Sequence, residues 1–141
     1  MTTTTTDLSV EDFLAVEWPS GAQLVEGEVI VNAPTFRHQE IVVRIVRRLA
    51  EWVEVDRGRG GVGIGGNWTI APASSYIPDV WWASAAHRPD PESARSDSPP
   101  DLVVEVRSPG TWRLDIGPKR AVYERTGVGE LWLVDTPART V

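Results

Sequence analysis

Two apolar rhythms run along the chain. From Thr35 onward, Ile41, Ile45, Leu49, Trp52 and Val53 recur at helical spacing with Arg44, Arg47, Arg48, Glu51 and Glu54 between them. That pattern predicts an amphipathic helix with one buried face. Elsewhere the apolar residues come in short runs. Residues 23–26 and 28–31 flank Gly27 and predict a hairpin, closed by Asn32-Ala33-Pro34. Residues 67–70 and 77–82 read as strands. Residues 102–106, Leu-Val-Val-Glu-Val, form the near-continuous apolar run of a strand buried on both faces, and 131–134 form a last core strand. Two further helices are expected. One covers 9–17, with Ser9 as N-cap and Asp12 three residues on. The other opens at Asp115 or Gly117, carries Pro118 in its first turn and stops at Gly127. Residues 86–100, rich in proline, serine and charge, read as a surface loop. The order hairpin, helix, three strands, helix, strand predicts an α/β fold: a central mixed β-sheet flanked by helices, with an N-terminal hairpin.

A chain of 141 residues fits one domain, expected over 8–141. The threonine run of 1–7 lacks the basic start and apolar centre of a signal peptide and is expected to be a disordered tail. After Thr136-Pro137 the chain stops where a returning strand is expected, so the domain is expected to lack its last strand or strands. With 41% hydrophobic and 24% charged residues and no long apolar stretch, the reading is a soluble protein with no membrane partner. The absence of cysteine excludes disulfides, thiolate zinc sites and cysteine nucleophiles, and cytoplasmic localisation is expected. A net charge of -6 argues against a broad basic surface, so any nucleic-acid contact has to be local. Of the 14 basic residues only Lys119 is a lysine. Residues 58–66 contain two overlapping matches to G-x-G-x-x-G, but a helix precedes them and a strand follows, the reverse of the dinucleotide fingerprint. No nucleotide cofactor is expected, and a mobile or hairpin loop is.

Glu105 carries the strongest chemical hint. An ionised carboxylate in an apolar strand costs several kcal/mol unless a cation or strong donors meet it. Asp79, between Ile77-Pro78 and Trp81-Trp82, repeats the situation. Each also has a plain structural reading, Glu105 at an exposed edge or paired with an arginine and Asp79 capping a loop. Period-two geometry puts Val103, Glu105 and Arg107 on one face, so Glu105 and Arg107 are expected side by side. If Asp79 and Glu105 lie on neighbouring strands, they repel unless a divalent cation lies between them, and hard oxygen ligands with open positions suit magnesium or manganese. Lys119, in the first turn of a helix, opposes the macrodipole and is offset by a nearby anion. Lysine can lower its pKa and orient or deprotonate a water, although one lysine had to stand somewhere.

An ordered series of motifs then carries a resemblance over residues 8–141. Gly27-Glu28, Pro34 with Arg37-His38-Gln39, Pro78-Asp79, Val104-Glu105-Val106-Arg107-Ser108-Pro109, Asp115 with Lys119 and Tyr123, and Gly127-Val128 with 130–135 resemble the Uma-two family. That family comprises restriction-endonuclease-like proteins of the PD-(D/E)XK nuclease superfamily. The resemblance implies a restriction-endonuclease-like fold and a Mg2+- or Mn2+-dependent endonuclease acting on DNA. It implies Asp79 and Glu105 as metal ligands, joined by the Val106 carbonyl. Arg107 stands where the motif wants lysine, and Lys119 stands where a lysine migrated to the following helix would be. Glu28 and His38 match positions facing the same site, although His38 equally suits a structural histidine. Arg107 and Arg37 are implied as binders of flanking phosphates, and a homodimer is implied by related nucleases that cut both strands. The rival reading is a catalytically inactive nucleic-acid- or protein-binding module on the same fold, supported by the displaced lysine, the acidic net charge and seven tryptophans. An acid–base enzyme using paired carboxylates on a sugar is not what the motif series predicts.

Overall fold

A computed structural model describes residues 2–5, as backbone, and 7–141. The N-terminal hairpin forms as expected. Strands β2 (Ala22–Val25) and β3 (Glu28–Val31) pair antiparallel around Glu26 (φ 49°) and Gly27 (φ 84°), a two-residue turn with positive φ at both central positions. The disordered tail expected over 1–7 is corrected over β1 (Thr2–Thr5), which pairs antiparallel with β3. β-branched threonines suit an extended strand, and β3 would otherwise leave its outer hydrogen-bonding edge unpaired. Met1 and Thr6 lie outside the described residues. Helix α1 (Val10–Leu14) is shorter than expected but begins in a full capping box between Ser9 and Asp12.

Helix α2 (Phe36–Val55) is capped by the Thr35 hydroxyl, which accepts from the His38 N–H at 3.2 Å. After a 3₁₀ turn at Arg57–Arg59 the glycine stretch forms strand β4 (Gly61–Gly63), not a mobile loop. Its glycines admit close backbone packing on β7 (Val80–Ala83): a Cβ on Gly60 would lie 2.0 Å from the Ala83 carbonyl, and one on Gly63 2.5 Å from the Trp81 indole. Then come β5 (Asn67–Ala71), β6 (Ser74–Tyr76), the short β8 (Arg95–Ser96) and β9 (Leu102–Val106). Helix α3 (Trp112–Leu114) runs through a wide turn over Asp115–Lys119, kinked at Gly117, into α4 (Arg120–Arg125), and β10 (Glu130–Val134) follows. Among the described residues no helix is long and apolar enough to cross a membrane.

The α/β class is as expected, but the strands form two sheets instead of one. The first has the order β1-β3-β2-β6-β5-β8 and the second β10-β9-β7-β4, with β9 and β10 parallel. Alternation along the strands explains the layers. Ala22, Leu24 and Val29 face Phe13 of α1, while Val25 and Ile30 face inward with Trp68 and Tyr76, against Val103 and the α4 residues Val122 and Tyr123. Leu102, Val104 and Val106 point the other way and pack under Val42 of α2. The second sheet is therefore covered on both faces, which is why all five residues of β9 are buried.

Candidate functional site

Glu105 and Asp79 meet because of strand register. β7 and β9 pair antiparallel with Val80 opposite Val104, and one further step sets Asp79 opposite Glu105. Asp79 Oδ2 accepts the Val106 N–H at 2.7 Å, which fixes the carboxylate at the end of the sheet. Glu105 points between the two sheets, where Lys119 Nζ donates to its Oε1 at 2.7 Å and the Tyr123 hydroxyl donates at 3.0 Å. The wide turn before α4 brings Lys119 inward, and the same amine lies 3.2 Å from Asp115 Oδ1 and donates to Gln23 Oε1 at 3.2 Å. Gln23 Oε1 also accepts the Ile77 N–H at 2.9 Å, so one carbonyl from the first sheet holds both the lysine and the segment leading to Asp79. His38, 5% exposed, places Nε2 3.1 Å from Asp79 Oδ2, close but misaligned for a hydrogen bond, and neither ring nitrogen has an aligned partner.

Gln23, His38, Asp79, Glu105, Asp115 and Lys119 wall a cavity of about 30 Å³, room for one water, together with Asn32, Ser108 and Thr111. Its electrostatics follow from a shortage of positive charge. Asp79, Glu105 and Asp115 are gathered around one lysine and one histidine. Burial pushes the Glu105 carboxyl up to about 8, with Lys119 pulling against it and Asp115 and Asp79 adding to it. Asp115 is raised for the same reasons, by burial and by Asp79, against the pull of Lys119. Burial works to lower Lys119, but Glu105 and Asp115 outweigh it and hold the amine above its ordinary value. His38 is likewise raised: burial opposes protonation, and Asp79 and Asp115 favour it by more. Tyr123 is held well above its ordinary value by burial and by Glu105, so it stays a donor. The lysine is thus held as a cation among the carboxylates, where the sequence allowed a lowered pKa.

Asp79, Glu105, Val106, His38 and Lys119 are all brought together. Three expected residues are not. β9 ends at Val106, so period two stops there, and Arg107 turns away from Glu105 to pair with Asp135 at 3.0 Å, its guanidinium 5.7 Å from the Trp112 ring centre. Glu28 lies at the turn end of β3 opposite Val25, and Arg37 is exposed on the first turn of α2; neither lines the cavity. Conversely, Asp115 and Tyr123, which stood in the motif series without a role, and Gln23, which was not singled out, belong to the site. Asp115, Lys119 and Tyr123 recur every four residues, a spacing that puts them on one helical face.

The donor set suits a hard divalent cation. Asp79 and Glu105 offer carboxylate oxygens, the cluster carries surplus negative charge, and His38 is a buried ring without an aligned partner. Among the described residues no three His, Asp or Glu side chains are grouped closely enough to hold an ion alone. Magnesium, which is bound through one or two carboxylates, suits this donor set better than an ion that needs an all-protein cage.

No curated protein matches the chain. Among solved structures, one described as a "putative nuclease belonging to DUF820" from Anabaena variabilis superposes with a TM-score of 0.80 at 19% sequence identity, covering 91% of this chain and 74% of that one. At that identity the likeness is one of fold. The model of the Uma2 family, whose description reads "Putative restriction endonuclease", matches residues 10–141, and the chain therefore belongs to the Uma2 family of nuclease-like proteins.

Proposed function

We propose that the chain is a metal-dependent endonuclease that hydrolyses phosphodiester bonds of DNA, with Asp79 and Glu105 as ligands of a magnesium or manganese ion. The observation that supports it best is the convergence of Asp79, Glu105 and Lys119, from three separate elements, on one cavity at the end of the second sheet. A divalent ion bound there supplies positive charge to the scissile phosphate and acidifies a water. The chain's own residues do the rest. The Val106 N–H anchors one oxygen of Asp79, and Lys119 with Tyr123 anchors Oε1 of Glu105, so both carboxylates are oriented before any substrate arrives. Lys119 stabilises the charge developing on the phosphate oxygens. To reach them it gives up Gln23 or Asp115, its two longer contacts at 3.2 Å. His38, beside Asp79, holds a proton near the same oxygens.

One observation favours a second reading. The Lys119 amine already has three acceptors, Glu105, Asp115 and Gln23, which suits a structural ion cluster in a non-catalytic module that binds nucleic acid or protein. Supercoiled plasmid incubated with Mg2+ or Mn2+ separates the two. We expect nicking by the native chain and a loss of at least about 100-fold in Asp79→Ala and Lys119→Met, with circular dichroism unchanged. Cutting by Asp79→Ala at the native rate would sink the proposal. DNA binding without cutting under either ion would favour the module.

A further inference from the structure

We propose that the exposed arginine row Arg37, Arg44 and Arg48 of α2 is the track on which a nucleic-acid strand lies as it enters the cavity. The inference rests on the nuclease reading for what happens at the cavity, and on the helix itself for the track. Steps of seven and four residues put the three side chains within about 40° of one another around α2, in a row about 16 Å long. Five nucleotides of a duplex strand span about the same distance. All three arginines are exposed, and among the described residues none forms an ion pair. Their neighbours are spoken for: Arg47 pairs with Glu51 at 3.2 Å, and Asp135, the carboxylate on the facing wall, is taken by Arg107. Glu40, on α2 between Arg37 and Arg44, is the other acid lining that hollow, and Arg139 adds a cation to the facing wall.

Two adjoining hollows of about 660 and 580 Å³ run beside the row between α2 and β10, floored by Ile41, Ile45, Leu49, Trp132 and Val134. An apolar floor under a positive rim suits the sugar faces and phosphates of one strand. The row also has a direction. Arg37 is adjacent in sequence to His38, whose ring walls the cavity, so the row begins at the site. In a chain of net charge -6, this is where local positive charge replaces the basic surface that is missing globally.

The test is binding of a fluorescent DNA duplex by anisotropy, without divalent ion, across a salt series. Arg44→Gln/Arg48→Gln, with both changes on an exposed helix face, is compared with Arg125→Gln on α4. Each lost phosphate contact removes about 0.9 from the slope of log K against log salt, so the double variant is expected to lose about 1.8 and to bind at least about tenfold more weakly. Arg125→Gln should match the native chain. An unchanged slope in the double variant, an equal loss in Arg125→Gln, or no duplex binding by the native chain would each overturn the track. A native chain that binds through this row yet never cuts would remove the nuclease reading and leave the track standing.

Discussion

Glu105 shows how one residue can join fold and chemistry. Burial among other acids raises its carboxyl from an ordinary 4.5 to about 8, against the pull of the lysine that donates to it. Between those values the folded chain keeps a proton that the unfolded chain has lost. The associated stability is complete below about pH 4.5 and is lost as pH rises through about 8. Asp115 and His38 are raised as well and act in the same sense. Without metal, the thermal midpoint should therefore fall from pH 5 to pH 8, and Glu105→Gln, neutral throughout, should flatten the decline. Identical slopes for the two proteins in a pH series of melts would contradict this. Glu105 and Asp79 were legible in the sequence because carboxylates in apolar strands demand partners, and Lys119 because it is the one lysine. Arg107 was misread because alternation holds only while the strand lasts, and β9 ends one residue before it.

At the scale of elements, what the sequence shows is local and what it hides is pairing. The hairpin, α2, β9 and β10 follow from spacing and turn chemistry. Strand β6 carries Ser74 and Ser75 with a single apolar residue, Tyr76, and gives no periodic pattern. The glycine stretch gives no strand pattern in the sequence, and its place as an edge strand is visible only beside β7. Gly60 (φ 84°) and Gly110 (φ 82°) separate the two reasons for a glycine. A Cβ at Gly60 meets the Ala83 carbonyl at 2.0 Å and the Ser84 backbone at under 3 Å, whereas one at Gly110 meets nothing within 4 Å. Gly110→Ala should cost about 1–2 kcal/mol, from backbone conformation alone. Gly60→Ala should cost more, about 3 kcal/mol or above, because β4 has to move off β7. Urea titrations give the order, and equal costs would show that the contact at Gly60 relaxes freely.

For the whole molecule, the split into two sheets is the feature that no local pattern announces. It depends on which strands meet, and that is settled by contacts between distant parts of the chain. The site depends on the split: Asp79 and Glu105 belong to the second sheet, Gln23 to the first, and Lys119 to the turn whose helix packs between them. The chain shares this fold with the Anabaena protein at 19% identity, so the arrangement survives wide changes of sequence.

The Gln23 carbonyl, shared between the Ile77 N–H and the Lys119 amine, has a kinetic consequence. Its two bonds bridge separations of 54 and 96 residues, whereas β9, α2 and the hairpin form from contacts nearer in sequence. Contacts of such long range wait for the closure of large loops, so the docking of the two sheets that closes the cavity should come late in refolding. A chain with its helices and hairpin formed but its sheets not yet docked would have no assembled site. In stopped-flow refolding, far-ultraviolet dichroism should recover first, with tryptophan fluorescence from the intersheet pair Trp68–Trp81 following in a slower phase. Simultaneous recovery of both would mean that the site is built in a single step. A late-closing site keeps an incompletely folded chain inert, a useful property for a protein whose proposed reaction would damage the genome that encodes it.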